Sequence, residues 1–210
     1  MQRILITTAV MLALSSSVCA ANDFKAGDFL IRARGVGVVP DEDATITGAV
    51  TGSQIDIDSS LVPEVDFSYF VTDNIAFELI AAITPHDVST ANSSAGPLDL
   101  GDVWLLPPTL TLQYHFSDLG AWKPYVGAGV NYTHFFNEER GASVTSADYD
   151  DSFGPALQAG VDYALDEHWQ LNFDIKKIWI NTDVKFSSGA VQADVAIDPW
   201  LIGVGVGYKF

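Results

Sequence analysis

The stretch DPWLIGVGVGYKF, residues 198–210, decides the fold class. From Trp200 onward, large apolar side chains occupy the even positions, and the odd positions include Gly203, Gly205 and Gly207. An alternation with a period of two is typical of a β-strand with two different faces. A soluble sandwich sets an apolar face against a polar one, whereas this strand sets a bulky apolar face against a nearly bare one. The pattern therefore indicates a strand whose large face does not meet an ordinary protein core.

Composition and charge limit where such a strand can reside. Of the 210 residues 48% are hydrophobic, yet the formal net charge is −17. A chain this acidic repels phosphates, so we expect no nucleic-acid partner. The apolar run at residues 4–14 is too short to span a bilayer as a helix, and no second run is long enough. The bilayer permits one other spanning structure, the closed β-barrel.

Residues 1–20 have the pattern of a secretory signal peptide. A positive charge precedes the apolar run, and Val18-Cys19-Ala20 fits a small-x-small cleavage site. We predict cleavage after Ala20, which leaves residues 21–210 as the barrel. Cys19 also permits a lipoprotein interpretation, although the Val18 before it is not small. Because Cys19 is the sole cysteine, the predicted mature chain has no disulfide and no thiolate metal site.

Short and long connections alternate along the chain. The short ones lie at residues 72–74, 117–120 and 166–168, and the long, polar ones near residues 40–60, 85–102, 137–152 and 181–194. This order is typical of an outer-membrane barrel with short periplasmic turns and long extracellular loops. We predict an all-β fold, an eight-stranded antiparallel transmembrane β-barrel in the bacterial outer membrane. Its strands lie near residues 28–39, 61–71, 75–84, 103–116, 123–136, 153–165, 169–180 and 195–210.

Each predicted strand has one large apolar face and one small or polar face. In the fourth strand, Leu110, Leu112 and Tyr114 alternate with Thr111 and Gln113. Because lipid favours large apolar side chains and a narrow lumen holds small ones, we expect the large faces to point outward. A soluble barrel of the lipocalin type would reverse this polarity. Aromatic residues near the short turns suit an interfacial girdle: Tyr69, Tyr114, Phe116, Tyr163, Trp169, Tyr208 and Phe210.

Four runs carry a resemblance that covers nearly all of the predicted mature chain. They are FVTDNIAFELIAA (70–82), LPPTLTLQYHF (106–116), KPYVGAGVNYTHFF (123–136) and DPWLIGVGVGYKF (198–210). Together they resemble the outer-membrane protein W (OmpW) family, which includes alkane-import relatives. The resemblance implies an eight-stranded outer-membrane barrel that passes small hydrophobic molecules. It also implies that Tyr208 and Phe210 form the signal read by the barrel-insertion machinery.

Charged residues on the small faces predict a plug in the lower lumen. Nearly balanced charges inside a narrow barrel should pair with one another, because eight strands leave a lumen that side chains can fill. The plug would block straight passage, or it would only hold the barrel together. The predicted members are Arg32, Arg34, Glu64, Asp66, Glu78, Asp162, Asp174, Lys176 and Lys209.

Apolar residues nearer the long loops predict a vestibule above this plug. Such a lining is usual for a small-molecule pocket, and a hydrophobic solute above a charged plug can leave only sideways. The predicted members are Val36, Val38, Ile80, Ala82, Leu105, Leu106, Phe135 and Ile178.

Prolines near the start of four strands suggest a side exit. Proline donates no ladder hydrogen bond, so a seam could open there, although prolines also simply mark where strands begin. The predicted seam residues are Pro63, Pro107, Pro108, Pro155 and Pro199.

Catalysis and metal binding find little support. His86 with Asp87 and Ser89 is the one histidine cluster at a plausible outer rim, and no known catalytic motif is present. Acidic groups at residues 41–43 and 148–151 could bind divalent cations but are more typical of solvated loops. We predict no enzyme activity, no cofactor and no metal.

The sequence thus favours passive uptake of small hydrophobic molecules. The expected partners are outer-membrane lipid and lipopolysaccharide, the solutes, and the barrel-insertion machinery. A non-transporting barrel that serves structure or adhesion through its loops is the alternative.

Overall fold

The computed structural model describes residues 23–41, 43–48, 54–57, 59–91, 99–140, 146–186 and 191–210. The predicted signal peptide and its cleavage site lie outside these residues. Within the described segments, no helix has the length and apolar character needed to cross a membrane.

The described part of the chain is built from fifteen β-strands. They are β1 (Phe29–Val39), β2 (Asp43–Gly48), β3 (Gln54–Ile57), β4 (Ser60–Phe70), β5 (Ile75–Ala82), β6 (Thr84–Ala91), β7 (Asp99–Leu106), β8 (Thr109–His115), β9 (Trp122–Arg140), β10 (Ala147–Tyr149), β11 (Ser152–Ala164), β12 (Trp169–Ile178), β13 (Asn181–Phe186), β14 (Val191–Ala196) and β15 (Trp200–Lys209).

Eight of these strands close into the predicted antiparallel barrel. The order around it is β1-β4-β5-β8-β9-β11-β12-β15, and β15 pairs with β1 to close the ring. Closure gives each barrel strand a paired neighbour on both sides, so that no strand presents a free edge to the bilayer.

The predicted orientation of the strand faces is confirmed. Outward side chains such as Phe67, Leu112, Leu171 and Ile202 are each 40–49% exposed, while the residues between them are buried. Around the short turns the outward aromatic rings contact one another, for example Trp122 with Tyr163, Trp169 with Tyr208, and Tyr208 with Phe210. The barrel therefore presents an apolar belt with an aromatic girdle at its periplasmic end.

The glycines of the closing strand make room for two arginines. In the β1–β15 ladder, Gly207 lies opposite Arg32 and Gly205 opposite Arg34. A Cβ at Gly205 would come within 2.8 Å of the Arg34 Cγ, and one at Gly207 within 3.2 Å of the Arg32 Cγ. The bare face of the opening stretch is thus the space into which the arginine side chains fold.

The predicted long, polar connections largely contain strands. Above the barrel, β2, β14, β13 and β10 form one four-stranded sheet. In a second sheet β3 pairs with β6, β6 with β7, and β7 with the outer half of β9. We call the first sheet the hinged arm and the second the fixed arm. Their alternation is short and interrupted by charges, so the sequence pattern did not separate them from loops.

Candidate functional site

Arg32 lies at the centre of a charged network in the lower lumen. Its guanidinium nitrogens lie 3.0 Å from Asp66 Oδ1, 3.3 Å from Glu78 Oε1 and 2.7 Å from Asp162 Oδ2. All four side chains are fully buried, and they come from four different strands, β1, β4, β5 and β11. Alternation along each strand directs them to a common interior.

Arg34 extends the network toward the extracellular side. It lies 2.9 Å from Glu64 Oε1, 2.7 Å from Asp66 Oδ2 and 3.5 Å from Asp174 Oδ2. Lys176 Nζ lies 3.1 Å from Glu64 Oε2 and 3.9 Å from Asp174 Oδ1. Every predicted plug residue except Lys209 belongs to this network.

Neutral donors that the sequence did not single out complete the network. Without Lys209, the carboxylates outnumber the cations, so some carboxylate oxygens need other partners. Tyr125 Oη donates to Asp174 Oδ2 at 2.8 Å, and Asn172 Nδ2 donates to Asp162 Oδ1 at 2.8 Å. The other members of this polar set are Ser68, Thr111, Gln113 and Gln158. Their inward parity was the available signal, but polarity alone did not distinguish them from lumen filler.

Lys209 was wrongly assigned to the plug. Its Nζ lies 3.8 Å from Asp28 Oδ2 and 5.9 Å from the ring centre of Phe24, at the periplasmic mouth. In the ladder it lies opposite Leu30, one inward layer below Arg32. Parity gave the correct face, but Lys209 lies one layer below the network and its closest carboxylate is that of Asp28 at the mouth.

A short segment that precedes the first strand closes the periplasmic mouth. Residues 23–28, which we call the N-terminal strap, insert Phe24 against Phe70, with ring centroids 4.2 Å apart. Its ring also meets His115 edge-on at 5.1 Å. Asp23 pairs with the buried Lys123. Because the N-terminal strap is not part of a strand, its sequence has no periodic pattern that could have predicted this role.

An apolar cavity lies above the charged network, between the two arms. Its volume is only about 20 Å³, so it is narrow. The residues of the fixed arm that line it are Ile57, His86, Val88, Val103, Leu105 and Phe135. Those of the hinged arm are Tyr149, Thr182, Val184 and Val195, together with Ile197 directly after β14. Thr182 directs its hydroxyl away, donating to the Asp150 carbonyl at 2.6 Å.

The predicted vestibule residues divide into two groups. Five of them lie in one buried apolar cluster that continues into the cavity wall: Val36, Val38, Leu105, Phe135 and Ile178. Ile80 and Ala82 lie lower, opposite Asp66 and Glu64 in the β4–β5 ladder. Leu106 was wrongly placed in the lumen. It follows the inward Leu105 and lies opposite the outward His134, so it faces outward.

The prolines differ in what surrounds them. Trp179 N donates to the Pro155 carbonyl at 3.1 Å and Ile178 N donates to the Pro199 carbonyl at 3.3 Å, so the wall is bonded at both sites. Pro107 and Pro108 interrupt the pairing on the β5 side. The β5–β8 ladder stops at Ile80–Thr109, and the pairing resumes in the same register at Thr84–Leu105, in the β6–β7 ladder. Their carbonyls are still bonded toward β9, by Asn131 and Tyr132.

A second interruption adjoins the first. The β4–β5 ladder ends at Glu64–Ala82, just below Pro63, and the β3–β6 ladder begins only at Ile57–Val88. Among the described residues, no backbone pairing joins residues 60–63 to residues 83–87. We call the unpaired wall around Ile83 the side window. Leu61 at its edge is 81% exposed, and Ile83 is 49% exposed.

The suggested catalytic cluster is not assembled. His86 lies in β6 with its side chain buried in the cavity wall, whereas Asp87 points to the opposite, exposed face. The acidic groups have protein partners, since Lys177 Nζ lies 3.1 Å from Asp41 Oδ2 and Lys185 Nζ lies 3.3 Å from Asp150 Oδ2. Within the described ranges, no three His, Cys, Asp or Glu side chains are grouped to hold a metal ion.

Known proteins share this architecture and sequence. Residues 25–210 match the OmpW family. An uncharacterized outer-membrane protein, y4mB of Sinorhizobium fredii, is 49% identical over 183 residues, which is 86% of this chain and 79% of that protein. Outer membrane protein W of Vibrio cholerae is 39% identical over 213 residues, 96% of each chain.

A solved structure agrees in fold. The crystal structure of the outer membrane protein OprG from Pseudomonas aeruginosa superposes with a TM-score of 0.80 at 34% identity, covering 89% of this chain and 97% of OprG. The barrel, its outward apolar belt and the family match place this protein in the outer membrane. The chain belongs to the OmpW family.

Proposed function

We propose that this outer-membrane barrel carries small hydrophobic molecules by passive diffusion from the cell exterior to the outer leaflet. The observation that carries the proposal is the apolar cavity seated above a sealed charged network. Apolar solutes partition into an apolar cavity because the transfer removes their apolar surface from water, which lowers the free energy. The resemblance to a family that passes small hydrophobic molecules agrees with this chemistry.

The charged network argues against a straight route to the periplasm. Moving a hydrophobic solute past Arg32 and Arg34 would separate buried ion pairs without offering the charges another partner, which is costly. The N-terminal strap adds a second barrier, since Phe24 fills the periplasmic mouth. We therefore assign the network a blocking role in addition to a structural one.

The side window supports release into lipid. It lies where β5 meets β6, next along the wall from the cavity-lining residues His86 and Leu105, and its rim includes the exposed side chains of Leu61 and Ile83. Pro63, Pro107 and Pro108 border it, and each lacks the N–H that would close a ladder bond. A solute that left there for the acyl chains would not cross the layer of Arg32 and Arg34.

The proposed partners follow from the surface. Lipid covers the apolar belt, and lipopolysaccharide surrounds the extracellular rim, where the exposed acidic residues Asp41 and Asp150 lie. Export through a signal peptide cut after Ala20 and recognition of Tyr208 and Phe210 by the insertion machinery belong to the same proposal.

Replacing Pro107 and Pro108 by valine tests the route. Because the ladder resumes in the same register, the N–H restored at residue 107 can bond across toward β5, while the N–H restored at residue 108 faces β9, where Tyr132 N already donates to the Pro108 carbonyl. We expect several-fold slower uptake of N-phenylnaphthylamine, an apolar probe that fluoresces on reaching lipid, in cells whose outer membrane is intact. Pro155→Val is the matched control, because the wall there is already bonded, and it should not slow uptake.

The outcomes separate the candidate functions. If the double variant, folded and present at the wild-type level, takes up the probe as fast as wild type, lateral release at this window is wrong. If wild-type cells take up the probe no faster than cells without the protein, transport itself is wrong and a structural or adhesive barrel is favoured.

A further inference from the structure

The cavity lies at an interface between two sheets that are not bonded to each other. In the described residues, backbone pairing joins the arms neither between β2 and β3 nor between β9 and β10. The arms meet through side chains instead, most directly where the rings of Phe135 on β9 and Tyr149 on β10 stack, with centroids 5.6 Å apart and planes 14° apart. Separating the arms therefore breaks packing but no ladder.

The two arms are attached to the barrel differently. Each strand of the hinged arm is interrupted where it joins the barrel: β2 follows β1 after residue 39, β10 ends before β11, β13 begins after β12, and β14 ends before β15. The fixed arm includes β9, which runs unbroken from the periplasmic turn to the extracellular side as Trp122–Arg140. A sheet joined to the barrel only through four interrupted strands can tilt relative to the barrel. A sheet that shares a continuous strand with the barrel keeps a fixed orientation.

Hydrogen bonds fix the end of the hinged arm that is nearest the barrel, so a tilting arm would rotate about this end. Ile197 N donates to the Ile180 carbonyl at 2.9 Å, and Ile180 N donates to Asp198 Oδ1 at 3.0 Å. On the other side Asp151 accepts from Tyr132 Oη at 2.5 Å and lies 2.8 Å from His134 Nδ1. These bonds hold the base of the arm, while its upper part contacts the fixed arm through apolar side chains.

We propose that hydrophobic solutes reach the cavity by parting the two arms, and that Phe135 and Tyr149 determine which solutes are admitted. This inference rests on the transport proposed above and names the solute class. The two rings face each other almost in parallel, so a flat apolar ring can slide between them and stack on both faces. A globular hydrocarbon requires a wider separation and gains no stacking, so flat ring compounds are preferred.

Joining the arms reversibly tests the gate. In a Cys19→Ser background, Phe135→Cys and Tyr149→Cys are linked by a short bis-methanethiosulfonate reagent, which reductant removes. We expect uptake of N-phenylnaphthylamine to fall several-fold on linking and to recover on reduction. Unchanged uptake by fully linked, folded protein overturns the gate.

A matched pair of cysteines controls for the reagent and the linker. Asp183 and Asp194 lie opposite each other on β13 and β14 within the hinged arm, on its exposed face. Linking Asp183→Cys to Asp194→Cys adds the same group to the same arm without joining the arms. Uptake should not change, and an equal loss in both linked variants attributes the effect to the reagent and contradicts arm movement.

The ring pair is tested by comparing solutes of different shape. For Tyr149→Ala we expect the uptake rate of an adamantane probe to rise several-fold relative to that of N-phenylnaphthylamine. Tyr149→Phe keeps the ring and should retain the wild-type ratio. A ratio unaltered by Tyr149→Ala refutes the selectivity. Wild-type uptake no faster than in cells lacking the protein refutes transport itself, whereas wild-type uptake with no effect of linking refutes only the gate.

Discussion

At the scale of single residues, Arg32 is the side chain whose loss should cost most. It neutralises three buried carboxylates, from Asp66, Glu78 and Asp162. Arg32→Met should lower the free energy of unfolding by about 3–5 kcal/mol, because uncompensated charges stay buried in the lumen. Urea unfolding of the refolded barrel in phospholipid bilayers measures this.

Lys185→Met is the control for that variant. Its ion pair with Asp150 is exposed on both sides, and exposed pairs contribute about 1 kcal/mol or less. Equal stability losses in the two variants would show that the lumen is hydrated enough to screen the charges.

Glycine at position 160 should be required for its size. Gly160 lies opposite both Tyr125 and Asp174 in its two ladders, and a Cβ there would overlap the Tyr125 hydroxyl. Gly160→Ala should destabilise by about 1–3 kcal/mol through overpacking of the lumen. Gly35 faces outward with nothing within 4 Å of an added Cβ, so Gly35→Ala should be neutral or slightly stabilising. The same urea titration compares the two, and similar effects would contradict a filled lumen.

Residue parity was the most reliable guide that the sequence offered. It predicted which residues face lipid, and it extends through the double proline, since Trp104, Leu106 and Leu110 are all outward. Placing Leu106 in the lumen departed from that rule. The partners of each inward charge could not be predicted, because they depend on ladder registers set by turns and closure.

At the scale of the element, the N-terminal strap should respond to acid. Lys25 Nζ and Ala26 N both donate to the Asp73 carboxylate at 3.0 Å. These bonds, from Lys25 first, lower the pKa of Asp73, and Asp73 raises the pKa of Lys25. A lowered carboxyl pKa stabilises above the unfolded value near about 4, and the effect disappears as the pH falls through the lowered value. The raised Lys25 pKa stabilises below about 10.

The strap should therefore be fully docked between about pH 4 and pH 10 and loosen below that range. The protection factor of the Ala26 amide against hydrogen exchange reports this contact. In Asp73→Asn the protection factor should be lower at neutral pH and should no longer fall with acid. An acid response that persists in Asp73→Asn would place the titrating group elsewhere.

Strand boundaries were the least predictable elements. The fourth and eighth predicted strands each divide in the structure, into β7 with β8 and into β14 with β15. The predicted long connections contain β2, β3, β10 and β13 and most of β6, which belong to the two arms. Short segments such as β2 and β14 contain acidic and small residues, so their alternation is weak in sequence. They are strands because they pair, as Ala193 does with Ile46 and Val184, and pairing between distant segments is not visible in local pattern.

At the scale of the whole molecule, the belt must contact hydrocarbon. Val126 and Val204 are 48% and 60% exposed and lie on the outward face. Spin labels at either position should be relaxed by oxygen and not by a water-soluble nickel chelate when the protein is in bilayers. A label at Leu119, in a periplasmic turn, should show the reverse. Nickel accessibility at Val126 would contradict the orientation of the barrel.

The sequence predicted the fold class and which charged residues face inward, but it did not predict the cavity as a whole. Six of its eleven lining residues, including Val88 and Val184, come from segments that were predicted to be polar loops. Only the strands that continue from the barrel, such as the one with Phe135, carried a readable pattern. When a site is assembled from many short segments, no single segment has a sequence pattern long enough to predict it.

Closure of the ring by its first and last strands has a consequence for biogenesis. Arg32 on β1 meets Asp162 on β11, 130 residues later in the chain, and Phe210 N bonds the Phe29 carbonyl. A partly assembled sheet that entered the bilayer would expose unpaired arginine and carboxylate groups to the hydrocarbon core. Insertion and ring closure should thus be one concerted, late event, and the unassembled polypeptide must cross the periplasm with these charges still hydrated.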